Sequence, residues 1–135
     1  MKKICKICGQ EFETIKYGGK RIYCFECSPL GVDRQSAITS IRRRCKEIGV
    51  KKLGGSCKHC GENRSYLLDF HHRNPAEKEN TLSDFSKGYN VDEFFTELEK
   101  CDLLCANCHR EFHYLNNRYG VSYEDYITNN FKISD

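Results

Sequence analysis

Four cysteine pairs share one spacing. Cys5 and Cys8, Cys24 and Cys27, Cys57 and Cys60, and Cys105 and Cys108 are each a C-x-x-C. A tight turn of this length offers two thiolates to one metal, and two such knuckles complete a tetrahedral site. The spacing therefore predicts two structural Zn²⁺ ions. One is held by Cys5, Cys8, Cys24 and Cys27, the other by Cys57, Cys60, Cys105 and Cys108. Four repeats of one spacing outweigh a chance or redox origin. Cys45 and Cys101 fall outside the pairs on apolar faces and read as buried thiols.

The histidines pose a second question, because a tetrathiolate site needs none of them. Four of the five sit at two points: His71 and His72 close the stretch SYLLDFHH, while His109 follows the fourth knuckle and His113 comes one helical turn later. Residues four apart on a helix share a face. These histidines either decorate the surface or build a further metal centre. In a strand–strand–helix unit the two points meet, which favours the metal centre. An imidazole with an ordinary pKa of about 6.5 can ligate a metal or take a proton from water at neutral pH.

The elements that must position these groups are legible in outline. With 135 residues, 39% hydrophobic and a mean hydropathy of -0.70, the chain has little material for a large core. Small polar domains need staples, which the ten cysteines supply. There is no apolar N-terminal signal segment and no membrane-length apolar run, so the expectation is a cytoplasmic protein with no membrane partner, where paired cysteines mean metal. Residues 1–30 read as a zinc ribbon of short hairpins, with a Gly18-Gly19 turn between its knuckles. Residues 31–52 read as a basic helix and linker. Its apolar face is Ile38, Ile41, Cys45 and Ile48, Gly49 is the expected stop, and KKLGGSC is the joint. Residues 53–120 read as a strand ending at the histidines and broken by Pro75, a polar loop, and a helix NVDEFFTELEKC started by Asn90 and Glu93. A short strand DLLC and a helix from Ala106 to Tyr119, stopped by Gly120, complete this part. On that last helix Cys108, Phe112, Leu115 and Tyr119 are expected to face inward. Residues 121–135 read as a tail with room for one short helix. The formal net charge is only +3, but IRRRCKEIGVKK concentrates basic groups in one segment, with Arg42, Arg43, Arg44 and Lys46 spread around the helix.

LDFHHRNP followed by LLCANCHREFH resembles the HNH endonucleases, also called ββα-metal or His-Me finger nucleases. The resemblance spans roughly Leu53 to Tyr119, and a ribbon with a basic helix ahead of it is similar to phage-type members. It implies a small α+β fold with a zinc-stapled ββα-metal domain, and a bacterial or phage-infected cytoplasm. It further implies a DNA endonuclease that hydrolyses phosphodiester bonds, nicking or cutting both strands. His72 takes the general base position, with His71 and His109 as ligands of one catalytic divalent ion. His113 matches a third ligand of colicin-type domains. Arg110 and Arg73 are candidate phosphate contacts, and Arg42, Arg43, Arg44 and Lys46 candidate DNA-positioning groups. An imidazole-rich site leaves Mg²⁺, Mn²⁺, Ni²⁺ and Zn²⁺ open, although Mg²⁺ prefers oxygen ligands. The departure from the family is its middle Asn: this chain has EKCDLLC there, with Asp102 as the candidate replacement. A double-strand cut would call for a homodimer or a phage or host protein partner. The alternative is a non-catalytic zinc-binding module for nucleic acid or protein, which the cysteines support equally.

Overall fold

The computed structural model describes residues 2–14, 21–77 and 91–133. The Gly18-Gly19 turn and the Asn90 end of the capping pair lie outside them. The fold is small α+β. The described residues contain two two-stranded antiparallel sheets and four α-helices, grouped in two compact units. None of these helices is long and apolar enough to cross a membrane.

The first unit comprises Met1–Gly49 and Asn80–Glu97. Strands β1 (Lys2–Ile4) and β2 (Glu11–Glu13) pair antiparallel, with Lys3 opposite Phe12. The knuckle between them closes through Gly9 N–H on Cys5 O at 2.9 Å, and Gly9 takes φ +76°, where a side chain would be strained. Helix α1 (Arg34–Lys52) starts at Asp33, whose Oδ1 accepts from Ser36 N–H at 2.7 Å, a side-chain N-cap. Ile41 and Cys45 are buried along it, while Ile38 and Ile48 are partly buried. Helix α2 (Val91–Leu98) buries Val91, Phe94 and Leu98.

Gly49 does not end α1, contrary to the expectation from sequence. The helix runs on to Lys52, and the stop falls where Gly54 and Gly55 take φ +100° and +78°. Gly55 N–H returns to Val50 O at 2.9 Å. Val50 is buried in the core of the second unit. Its burial holds the extra turn, and a mid-helix glycine costs only about 1 kcal/mol.

The second unit comprises Val50–Glu79 and Leu98–Asp135. Strands β3 (Leu68–His72) and β4 (Cys101–Cys105) pair antiparallel, with Leu68 opposite Cys105, His71 opposite Asp102 and His72 opposite Cys101. The SYLLDFHH stretch is not all strand, because Ser65–Leu67 form a short 3₁₀ turn first. β4 passes directly into α3 (Ala106–Tyr119), so the fourth knuckle lies on the junction. Cys105 is the N-cap, its Sγ accepting from Cys108 N–H at 3.4 Å. Gly120 ends α3 at φ 69°, as the sequence predicts.

Cys108, Phe112 and Leu115 form the inward stripe of α3, but Tyr119 does not join it and is 40% exposed. Tyr126 takes the inner place instead. It comes from α4 (Tyr123–Ile127), a helix capped by Ser122 Oγ on Asp125 N–H at 3.1 Å. Tyr126 is fully buried with Leu68, Leu103, Leu104, Phe112 and Leu115. The segment after Gly120 is thus part of the core, and each fully buried large apolar side chain there contributes about 1.5–3 kcal/mol.

Candidate metal centres

Among the described residues, three groups of side chains bring ligand atoms within 4.8 Å of one another. They are Cys5, Cys8, Cys24 and Cys27; Cys57, Cys60, Cys105 and Cys108; and His71, His109 and His113. All ten cysteines are thiols, and Cys45 and Cys101 are buried.

The thiol groups fit Zn²⁺. Four sulfurs about 2.3 Å from one ion lie about 3.8 Å apart. Cys8 and Cys24 Sγ are 3.7 Å apart, and Cys60 and Cys105 Sγ are 3.6 Å apart. Three of the knuckles point a backbone N–H at sulfur: Ile7 N–H to Cys5 Sγ at 3.4 Å, Cys60 N–H to Cys57 Sγ at 3.5 Å and Cys108 N–H to Cys105 Sγ at 3.4 Å. Burial pushes the Cys5 and Cys57 thiols up, but these backbone donors outweigh it and bring both down to about 7. A thiol poised to ionise at neutral pH suits a metal that binds the thiolate. Burial pushes Cys27 and Cys108 up, and the nearby thiols add to it. Those two are the groups that gain most from a cation.

Further side chains brace the sulfurs. Arg44 Nε donates to Cys27 Sγ at 3.5 Å, and its Nη1 meets Glu47 Oε2 at 2.9 Å. Arg44 is thereby half-buried against the first cluster, while Arg42 and Arg43 are exposed on α1 and Lys46 is half-buried. In the second unit His59 Nδ1 lies 3.4 Å from Cys108 Sγ, and its ring stacks on Tyr126 with centroids 4.2 Å apart.

The third group is built by β3 and α3. His71, the fourth residue of β3, turns inward and is 6% exposed, whereas His72 is half-buried and outside the three-imidazole group. Successive strand residues point to opposite faces, so the neighbours serve different surroundings. His109 and His113 stand on one face of α3, ring centroids 4.8 Å apart; they are 5.2 Å and 5.6 Å from the His71 ring. Burial first, then the neighbouring His109 and His113 imidazoles, push His71 down to about 4. His113 is lowered by the same two effects, burial and His109. His71 is therefore neutral at ordinary pH, the state that ligates a metal. The donor set is all nitrogen, which suits Zn²⁺, Ni²⁺ or Mn²⁺ better than Mg²⁺.

Two carboxylates flank this cluster: Asp69, which carries no signal in the sequence, and Asp102, the candidate named for the family's middle Asn. Asp69 Oδ2 lies 3.3 Å from His109 Nδ1. Donation of that N–H to the carboxylate leaves Nε2 with the lone pair and orients the ring. Asp102, opposite His71, accepts from Tyr123 Oη at 2.7 Å, Lys58 Nζ at 3.1 Å and Arg73 Nη1 at 3.1 Å. Burial pushes its carboxyl up, but those three donors outweigh it and hold it below the ordinary range. Arg73 also donates to the carbonyls of Cys101 and Glu99, so it clamps β4 to the end of β3. Arg110 is exposed on α3 beside His109.

Comparison with protein-family models, curated proteins and solved structures gave no match.

Proposed function

We propose that this chain is a metal-dependent DNA endonuclease of the HNH type, with two structural zinc sites and a separate catalytic ion. The observation that carries the reading is the convergence of His71, His109 and His113 at one point of a strand–strand–helix unit, with His72 next along the strand. Thiol clusters alone are equally at home in a binding module. Three imidazoles gathered beside a fourth are not needed to hold such a module together.

Bound to these three imidazoles, a divalent ion would supply Lewis-acid chemistry at the scissile phosphate and charge neutralisation at the leaving oxygen. The remaining work falls to the chain. His72 accepts a proton from a water, whose oxygen forms the new bond to phosphorus. The bond from phosphorus to the 3′ oxygen breaks, and that oxygen takes a proton from a solvent water, giving a 5′-phosphate and a 3′-hydroxyl. Asp69 orients His109. Arg110, exposed next to His109, is the candidate contact for a flanking phosphate. Exposed Arg42 and Arg43 add sequence-independent affinity by displacing counterions. Arg44, occupied with Cys27 and Glu47, belongs to the zinc site rather than to DNA.

Nicking of a supercoiled plasmid with Mg²⁺, Mn²⁺, Ni²⁺ or Zn²⁺, wild type against His72→Ala, tests the reading. Loss of cleavage by roughly 10²–10⁴-fold with folding and metal binding retained is the expected result for a general base. No cleavage by wild type with any of the four metals would replace the nuclease with a zinc-binding module, and undiminished cleavage in His72→Ala would remove His72 as the general base and with it the mechanism proposed.

A further inference from the structure

His71 is the most enclosed of the three clustered imidazoles, and aromatic rings form its walls. Phe112 from α3 meets it at 75° with centroids 5.1 Å apart. Tyr123 from α4 lies across it at 4.7 Å and 37°. Tyr123 is itself fixed. Its hydroxyl donates to Asp102 Oδ2 at 2.7 Å, and its ring meets Phe112 edge-on at 5.4 Å and 82°. Asp102 is the residue opposite His71 in the strand register, and it is held in turn by Lys58 and Arg73. The contacts form a closed circuit from His71 to Tyr123, to Asp102, and back across the β3–β4 ladder.

We infer that Tyr123 is a positioning residue of the histidine cluster: its ring, tethered to Asp102, sets the plane of the His71 imidazole and so the direction of its lone pair. The inference rests on reading that cluster as a metal site. The torsion that turns an imidazole about its Cβ–Cγ bond is broad and weakly restrained by itself. A ring packed against one face removes that freedom before the ion arrives, so less ordering remains to be done on binding. The hydroxyl matters because it fixes the tyrosine, which has no hydrogen bond of its own to the imidazole. The segment after Gly120 thereby acquires a part in the chemistry and not only in the core.

The test uses the full chain with its thiolate sites loaded by two equivalents of Zn²⁺, titrated with Ni²⁺ by calorimetry. The variants are Tyr123→Phe, Tyr123→Ala, His71→Ala and, as a control on an exposed ring, Tyr114→Ala. Wild type should bind a Ni²⁺ ion that His71→Ala loses. Tyr123→Ala should bind it about 10–100-fold more weakly, the usual effect of removing an outer partner of a metal ligand. Tyr123→Phe should fall between, and Tyr114→Ala should match wild type. A merely structural tyrosine would lower the melting temperature of Tyr123→Ala and leave the Ni²⁺ affinity of the folded protein unchanged, which overturns the inference. If Tyr123→Ala does not fold, Tyr123→Phe decides, and an unchanged affinity there has the same consequence. A wild type without a His71-dependent Ni²⁺ site removes the metal reading itself, and this inference with it.

Discussion

Replacing Tyr126 by alanine should unfold the second unit at a much lower temperature while sparing the first. The side chain is fully buried. Its ring stacks on His59 at 4.2 Å, faces Phe112 at 5.5 Å and stacks on Phe131 at 6.0 Å. Its hydroxyl donates to Glu111 Oε1 at 2.8 Å. Removing a buried aromatic ring costs about 3–5 kcal/mol, transfer and cavity terms together. The hydroxyl is a smaller part, because Glu111 is exposed and its freed carboxylate returns to water; Tyr126→Phe should cost only about 1 kcal/mol. In a unit of this size each kcal/mol lowers the melting temperature by about 4–8 °C, so Tyr126→Ala should melt at least ~12 °C below wild type. Calorimetric melting at fixed excess Zn²⁺ separates this from metal loss. Amide hydrogen exchange shows where the loss falls, and protection along β3, β4 and α3 should drop while α1 near Ile41 and Cys45 keeps its own. An alanine variant that melts no lower than the phenylalanine variant would refute the packing argument.

Cys57→Ser should abolish the fold of the second unit, whereas Cys5→Ser should leave that unit folded; far-UV dichroism and zinc stoichiometry read both, and equal loss would contradict two separate zinc sites. Asp69→Ala, at a half-exposed side chain, should keep the fold and weaken Ni²⁺ binding about 10–100-fold by freeing the His109 ring, as calorimetry would report. Replacing Arg42 and Arg43 together by alanine should flatten the slope of log affinity for duplex DNA against log salt by about 1–2 units. Arg44→Ala should leave that slope nearly unchanged and instead make Zn²⁺ easier to remove from the first cluster by chelator.

The clustered cysteines and histidines were legible because metal binding favours fixed spacing. A knuckle must be C-x-x-C, and two histidines on one helix face must stand four apart, so chemistry is written in local sequence. Gly120 was legible for a similar reason, since a left-handed residue after a helix is a local requirement. The bracing groups were not legible. Asp69 meets His109 across 40 residues, and Tyr123 meets Asp102 across 21, with no periodicity to announce either. Gly49 misled because a local stop rule yields to burial of the next residue, Val50. Arg44 stands between Arg43 and Cys45 in a run that looks uniformly basic, and only the fold separates the arginine on sulfur from the exposed ones.

The cap of α3 has a consequence for how the molecule comes to be ready. The acceptor for the Cys108 N–H in the first turn of this helix is the sulfur of Cys105, a zinc ligand in the proposed second site, and His109 stands in that same turn. Zinc on that sulfur would hold the cap in place, and a helix start without a fixed cap frays. If zinc fixes that sulfur, as proposed, the histidine cluster would be completed late. On the proposed reading zinc would come first, and the second metal would find its site only on a chain that had already captured its zinc. Chains made during zinc shortage would carry every histidine of the site and still be unable to use them, so the supply of a structural ion sets how much working protein a given amount of synthesis yields.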